Sequence, residues 1–403
     1  MTHSEKYQKL AKVFTPASPV EDRSLFAGRL EQLASLWQVL DLRGMHGILY
    51  GERGVGKTSL INILKIILEA SQTAKDLIVA KHSCYSQDDF EEVWKKIFQE
   101  IKIPNRFMVG EDRSQRPAAR LDGYTRLSSI IKDDYTYTSR EIVRTLSNIR
   151  VDKVVIILDE FDRLDSRFDK KLFADVIKNV SDAHQNIKII IVGVSDDVNS
   201  LVGQHESIRR NLKEVNMPLM PPAELREIVL KGLSLLDLRI SDENLSTIVE
   251  LSAGYPYYTH QICYHACYMA IGSDKIFLDD AAIKYSIGQT IQDSKETIRH
   301  TFQGATMANQ KNFFKEVLYA CAICNTDEHG YFQASDLERI LSRILGRQAK
   351  VQQFARHLTK LSSPERGNVL ICYGNSRKKR YKFTDPLMRA YIQMIAYTQG
   401  VAP

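Results

Sequence analysis

The sequence predicts an α/β protein: a parallel sheet with helices on both faces, then a helical subdomain, then a C-terminal unit with the order of a winged helix-turn-helix. Three observations predict it. Short apolar runs alternate with helical patterns through the first half of the chain, strand-like runs stop near residue 215, and the last hundred residues give three helical patterns followed by two strand-like pieces around a polar turn. The 403 residues, 44% of them apolar and 26% charged, have the composition of an ordinary folded protein, which excludes disorder and fibrous folds and leaves room for two or three cores.

The buried-strand candidates are residues 46–50 (HGILY), 77–83 (LIVAKHS), 153–158 (KVVIIL) and 187–194 (IKIIIVGV), bounded by turns and too short and apolar to be exposed helices. Apolar residues at helical spacing separate them at TSLINILKIILEA, DDFEEVWKKIFQEI, SREIVRTLSNI and DKKLFADVIKNV. Residues 104–137 fit the alternation poorly and read as an insertion forming a surface loop, with Arg106, Arg113, Arg116 and Arg120 as a candidate partner or DNA contact. PPAELREIVLKGLSLL, ENLSTIVELSAG and THQICYHACYMAI then make a helical subdomain. NFFKEVLYACAI, ASDLERILSRIL and KVQQFARHLTKL precede NVLICY and RYKFTD, which flank the turn GNSRKK. The domain boundaries are therefore 1–215, 216–304 and 305–403.

Net charge is +6, unevenly spread: residues 305–403 hold 15 Lys and Arg against 7 Asp and Glu, leaving −2 for residues 1–304. Such a C-terminal positive field suits a polyanion. Six scattered cysteines, no apolar leader and no run long enough to span a bilayer point to a reduced, cytoplasmic protein that contacts no membrane. Cys321 and Cys324 sit on the apolar face of a helical pattern without a second metal-ligand pair, so they read as small buried hydrophobes, as do Cys263 and Cys267.

Gly51-Glu52-Arg53-Gly54-Val55-Gly56-Lys57-Thr58 matches the phosphate-binding pattern G-x-x-x-x-G-K-[ST] between a strand and a helix. Its glycines let backbone N–H groups curl around phosphate oxygens, Lys57 reaches the β and γ phosphates, Thr58 ligates Mg²⁺, and Ser59 continues the helix whose N-terminus favours anions. About a hundred residues on, VVIILDEFDRL ends an apolar strand in acids, with Asp159 as the Mg²⁺ partner and Glu160 placed to polarise a lytic water. The pair implies hydrolysis of a nucleoside triphosphate. Ser195, ending the next strand in GVSDD, is a candidate contact for the γ phosphate or the water. Arg209 and Arg210 in HESIRRNL are candidates for an arginine finger given to a neighbouring subunit.

GERGVGKT, LDEFDRLD, GVSDD, SIRR and AGYPYYTH together resemble the AAA+ ATPases of the origin-recognition type and the related signal-transduction ATPases with numerous domains (STAND), over nearly the whole chain. The opening FTPASPVEDRSLFAGRLEQL, with Phe26-Ala27-Gly28-Arg29 at its core, resembles the segment that lies beside adenine in these families, and Gly254-Tyr255-Pro256 resembles the Gly-x-Pro of the STAND lid, placing Pro256 against the base. Initiators carry a lid arginine where this chain has Pro256-Tyr257-Tyr258-Thr259-His260, so a lid arginine sensing the γ phosphate is not expected. The resemblance implies ATP and Mg²⁺ as cofactors and assembly into a ring or filament. It also implies a winged helix with KVQQFARHLTKL as recognition helix and Arg377, Lys378, Lys379 and Arg380 at the wing, meeting double-stranded DNA. The expected function is a nucleotide-controlled ATPase switch with a separate effector, in a bacterial defence or mobile-element setting. The alternatives are a replication or transposition loader and a protein-binding adaptor that never touches DNA.

Overall fold

Val154, Val155, Ile156, Ile157 and Leu158 are wholly buried, because the strand that carries them has a neighbour on each side and helices above and below. A computed structural model of the chain describes residues 2–71, 77–104, 123–165, 167–183, 186–195, 206–307, 313–327, 329–374 and 378–401. Its strands begin with β1 (His46–Gly51), β2 (Leu77–Ser83), β3 (Lys102–Pro104), β4 (Tyr124–Arg126), β5 (Lys153–Asp159), β6 (Ile187–Val194) and β7 (Leu212–Met217). Five of them form one sheet in the order β2-β5-β6-β1-β7, and every neighbouring pair is parallel. All five C-terminal ends therefore meet one edge. Gly51 pairs with both Val194 and Met217, and Ser83 pairs with Asp159, so the register is set at that edge.

The four strands read from the sequence are present, and β7 is a fifth that the sequence reading missed. LKEVNM carries Lys213, Glu214 and Asn216 on an edge with one neighbour, where polar side chains stay hydrated and erase the apolar run. In the stretch 104–137, Tyr124–Arg126 pairs antiparallel with Lys102–Pro104, Leu127 is buried, and the rings of Tyr135 and Tyr137 lie 6.1 and 5.8 Å from Phe98, while Tyr124, Arg126, Ser129, Ile130, Lys132, Asp133, Asp134 and Thr136 are exposed. Arg106, Arg113, Arg116 and Arg120 lie outside the described residues.

The chain divides into two compact units, one comprising Arg29–Glu52 and Lys57–Met217, the other Met1–Gly28, Arg53–Gly56 and Pro218–Pro403. In the first, the helix Phe90–Glu100 is capped by Asp89, whose side chain accepts from Glu92 N–H at 2.9 Å, and turns Phe90, Trp94 and Phe98 inward. They join Phe161, Phe168 and Phe173, whose rings lie 5.2–5.6 Å apart, in an aromatic cluster under the end of β5.

In the second unit the helix Pro222–Leu235 holds the N-terminal segment. Phe14 packs where a Cβ on Gly232 would stand 2.3 Å from its ring, the carboxylate of Glu227 accepts from Gly28 N–H at 3.1 Å, and Lys231 donates to Phe26 O at 2.8 Å. Gly254 has a φ of 86°, and a Cβ there would meet Leu219 at 2.8 Å, so glycine alone fits before Pro256 opens the helix Pro256–Gly272. Further along, β8 (Arg239–Ile240) pairs with β9 (Phe277–Leu278). The C-terminal hundred residues fold as the helices Phe314–Ile323, Glu338–Leu345 and Val351–Leu361, an antiparallel pair β10 (Leu370–Tyr373) and β11 (Arg380–Phe383), and the helix Leu387–Thr398. Phe332 makes an isolated antiparallel bridge to Tyr381 through two backbone hydrogen bonds. Arg389 and Gln393 donate to the carbonyls of Ala322 and Cys324 that close the helix Phe314–Ile323. All six cysteines are free and five are buried, Cys321, Cys324, Cys263 and Cys267 among them. Among the described residues no helix is long and apolar enough to cross a membrane.

His46 is held neutral at the start of β1. Its Nδ1 accepts from Ile189 N–H at 3.0 Å, which fixes the tautomer with the proton on Nε2, 2.9 Å from Ser181 Oγ. Burial first, and then the nearby Lys188 ammonium, pushes its pKa down to about 3. Because the folded value lies below the unfolded one near 6.5, the neutral ring's contribution is complete above pH 6.5 and is lost as pH falls toward 3, about 2 kcal/mol by pH 5. Unfolding by urea, followed by the fluorescence of Trp37 and Trp94, should show that loss between pH 7.5 and 5, and His46→Gln should flatten it.

Candidate nucleotide site

The sheet edge gathers the residues the motifs single out. Gly51 ends β1, where a Cβ would lie 2.4 Å from Met217 O, so the chain can leave the sheet there only as glycine. The loop that follows turns through positive φ at Gly54 (85°) and Gly56 (98°), and a Cβ on Gly56 would point into open space. Val55 is buried while Glu52 and Gly54 are partly covered and Arg53 is exposed. Lys57 opens the helix Lys57–Ala70. Its ammonium, 8% exposed as a residue, donates to Gly51 O at 2.8 Å and Glu52 O at 2.7 Å, closing the loop on itself. Thr58 and Ser59 follow on the first turn, both half-buried.

Asp159 ends β5 and is 2% exposed. Its Oδ1 accepts from Glu160 N–H at 2.9 Å and lies 3.5 Å from Thr58 Oγ1. Its Oδ2 accepts no hydrogen bond and faces Lys81 Nζ at 3.0 Å as an ion pair. A buried carboxylate with one oxygen beside a threonine hydroxyl and the other beside an ammonium is a hard oxygen donor of the kind a hard cation takes. Mg²⁺ keeps waters and phosphate oxygens in its shell and asks the protein for one or two such ligands, so Thr58 and Asp159 fit it. Cys84 comes next after β2, but burial and then the Asp88 carboxylate raise its thiol well above the ordinary value, which keeps it protonated and unreactive.

Glu160 stands in the left-handed region at φ 54° and ψ 36°, a conformation that costs a non-glycine residue of order 1–3 kcal/mol. It is held there from both sides, by Asp159 in the sheet and by Phe161 in the aromatic cluster. The turn aims its carboxylate away from the strand, where Arg163 pairs with it at 3.0 Å, and both side chains remain partly exposed. Ser195 follows β6 at the same edge, half-buried, and the preceding Val194 N–H donates to Asp162 Oδ1 at 2.7 Å. That bond ties the end of β6 to the turn carrying Glu160.

Arg209 and Arg210 are exposed at the opposite edge. They close the short helix Glu206–Arg209 and its turn, just before β7, and Leu212 pairs with His46 at the start of β1. At about 3.3 Å per strand residue, the length of β1 puts them on the order of 16 Å from the phosphate loop of their own chain. Pro256 lies at the first position of its helix in the other unit. At the C-terminal hairpin, Lys378 and Lys379 are exposed, Arg380 is partly held by Asp327 at 3.8 Å and by the Tyr331 ring at 4.9 Å, and Arg377 lies outside the described residues.

Sequence reasoning missed Lys81, Asn62, Asp162 and Arg163. Only Lys81 left a signal: a cation inside the apolar run LIVAKHS must find an anion when the strand is buried.

A family model described as an AAA domain matches residues 41–202, which contain the phosphate loop and β5. No curated protein matches the sequence. Among solved structures, the Walker-type ATPase PABY2304 of Pyrococcus abyssi is similar over 94% of this chain and 99% of its own, at 17% identity and a TM-score of 0.53. The Aeropyrum pernix ORC2 protein, solved as ADPNP–ADP complexes, is similar over 97% and 98%, at 14% identity and a TM-score of 0.52. Residues 41–202 thus match an AAA domain, and the chain shares its fold with these two solved proteins, a parallel five-stranded sheet with helices.

Proposed function

We propose that the protein is an Mg²⁺-dependent ATPase switch whose assembly follows its nucleotide state and whose output passes through residues 305–403, read as a winged helix, to double-stranded DNA. The observation that carries this reading is the Thr58 hydroxyl 3.5 Å from the buried Asp159 carboxylate, at the sheet edge that also bears Lys57, Glu160 and Ser195. Mg²⁺ and ATP, when bound, would supply the phosphoanhydride and the charge neutralisation that weakens it. The backbone from Gly51 to Ser59 would hold the phosphates, with Lys57 exchanging its two carbonyl partners for β and γ oxygens. Thr58 and Asp159 would hold the metal. Glu160 would take the proton of the attacking water after leaving Arg163, and Ser195 would position that water or the γ phosphate. Adenine as the base is supported by the ADPNP–ADP complexes of the similar ORC2 protein, and Pro256 by its Gly-x-Pro setting.

Arg209 and Arg210 sit a strand length from their own loop, which favours donation to a neighbouring copy and hence a ring or filament of this chain. DNA contact is favoured by exposed Lys378 and Lys379 and by Gln352, Gln353, Arg356, Thr359 and Lys360, the exposed face of the helix Val351–Leu361. A separate effector protein, in a defence or mobile-element setting, is the output that goes with a chain of this design.

Lys57→Ala should weaken binding of a fluorescent ATP analogue by roughly 10- to 100-fold, the worth of charge-assisted bonds to phosphate. Glu160→Gln should bind normally but turn over about 10² to 10⁴ times more slowly, and normal turnover would remove Glu160 from the base role. In light scattering, the Glu160→Gln protein should grow to a large species with ATP and not with ADP. Arg209→Ala or Arg210→Ala should cut turnover only where copies assemble, with activity regained on mixing with Lys57→Ala protein. Changing Arg377, Lys378, Lys379 and Arg380 to Glu should lower DNA affinity and reduce its salt slope by roughly one for each phosphate no longer neutralised. An unchanged slope would favour the protein-facing adaptor.

A further inference from the structure

Asp159 has a half-buried cation beside it at the metal site. Lys81 lies two residues before Ser83, the register partner of Asp159, so the two side chains share one face of the sheet as diagonal neighbours within reach of a long side chain. The Lys81 ammonium, 15% exposed, stands 3.0 Å from Asp159 Oδ2 and donates to Asn62 Oδ1 at 2.6 Å. Asn62 is one helical turn beyond Thr58, so the helix that presents the threonine hydroxyl also tethers the lysine. Asp159 thus has its two oxygens divided. Oδ1 takes Thr58 and the Glu160 N–H, while Oδ2 has a cation beside it and no hydrogen bond.

We propose that Lys81 is a built-in counter-cation of the metal site: a positioning residue that neutralises Asp159 before a divalent ion arrives and then opposes that ion, setting the site's metal affinity. This deepens the Mg²⁺ reading above and rests on it. A buried carboxylate needs compensation at all times, and a monovalent ammonium fixed by Asn62 supplies it without filling the ligand position beside Thr58. Once a dication binds, the two positive charges repel at short range in a poorly hydrated site, so the metal is held less tightly than the carboxylate alone would hold it. The site would then retain metal only when phosphates add their own charge, which couples metal retention to nucleotide.

The test reads metal affinity and metal-free stability rather than turnover. Mn²⁺ binding to ADP-loaded protein, followed by electron paramagnetic resonance, should be about tenfold tighter in Lys81→Met than in the wild type, and unchanged in Lys81→Arg. Equal or weaker binding by Lys81→Met overturns the proposal. In metal-free protein, urea unfolding of Lys81→Met, Asp159→Asn and the double variant should be strongly non-additive, the double variant being more stable than Lys81→Met alone, and additive losses overturn the pairing. If Lys81→Met does not fold, recovery of folding in the double variant supports the proposal and its failure overturns it. A wild-type protein that takes up no Mn²⁺ with ADP would refute the metal reading itself, while the metal-free cycle still decides whether Lys81 serves Asp159.

Discussion

A carboxylate buried at the end of a central strand constrains everything around it. Asp159 is 2% exposed on β5, flanked by β2 and β6 and covered on one face by the helix that follows the phosphate loop. Burying a charge is costly unless it is compensated, and each neighbour answers part of that demand: Thr58 from the helix, Lys81 from β2, the Glu160 amide from the chain itself. The same demand makes the place fit for a divalent ion. Compensation that is sufficient for folding but leaves one oxygen without a hydrogen bond is what a binding site requires and a purely structural carboxylate does not.

The turn after Asp159 stores a second constraint. Glu160 takes a left-handed conformation that its side chain disfavours, and the cost is met by Phe161, which enters a cluster of six aromatic rings on the far side of the turn. The cluster therefore matters to chemistry although no ring touches the site. It fixes where the strand ends and so where the Glu160 carboxylate emerges. Asp162 extends the arrangement by accepting from Val194 N–H, which ties the position of Ser195 to the position of Glu160. Functional candidates far apart along the chain are thus set by one turn.

The unit containing residues 218–403 is built differently. Its helices are closed by side-chain caps and by Arg389 and Gln393 on carbonyl ends, and His260, His357 and four of its cysteines are buried in its packing. His260 is an example: burial pushes its pKa down to about 4, and its Nδ1 accepts from Thr15 N–H, pinning the N-terminal segment beside Phe14. The hairpin β10–β11 carries exposed lysines at one end while Arg380 is drawn back to Asp327 and Tyr331, so the basic run is divided between surface charge and internal packing.

The sequence by itself determined the strand–loop–helix at residues 46–70, the apolar strand ending in Asp159 and Glu160, the buried cysteines and the helical character after residue 220. Each of these is a local pattern, in which spacing along the chain equals spacing in space or the demand for burial shows in consecutive residues. The tertiary structure alone decided the rest. β7 became visible only when β1 offered it an edge, because an edge strand keeps polar residues that break the apolar run. The pairing of Lys81 with Asp159, remote from each other in the chain, follows from the register of β2 against β5 and from the need of the buried carboxylate for a counter-charge. The placement of Arg209 and Arg210 at the edge opposite the phosphate loop follows from β7 running parallel to β1. Register and strand direction are properties of pairs of segments, and no single stretch of sequence carries them.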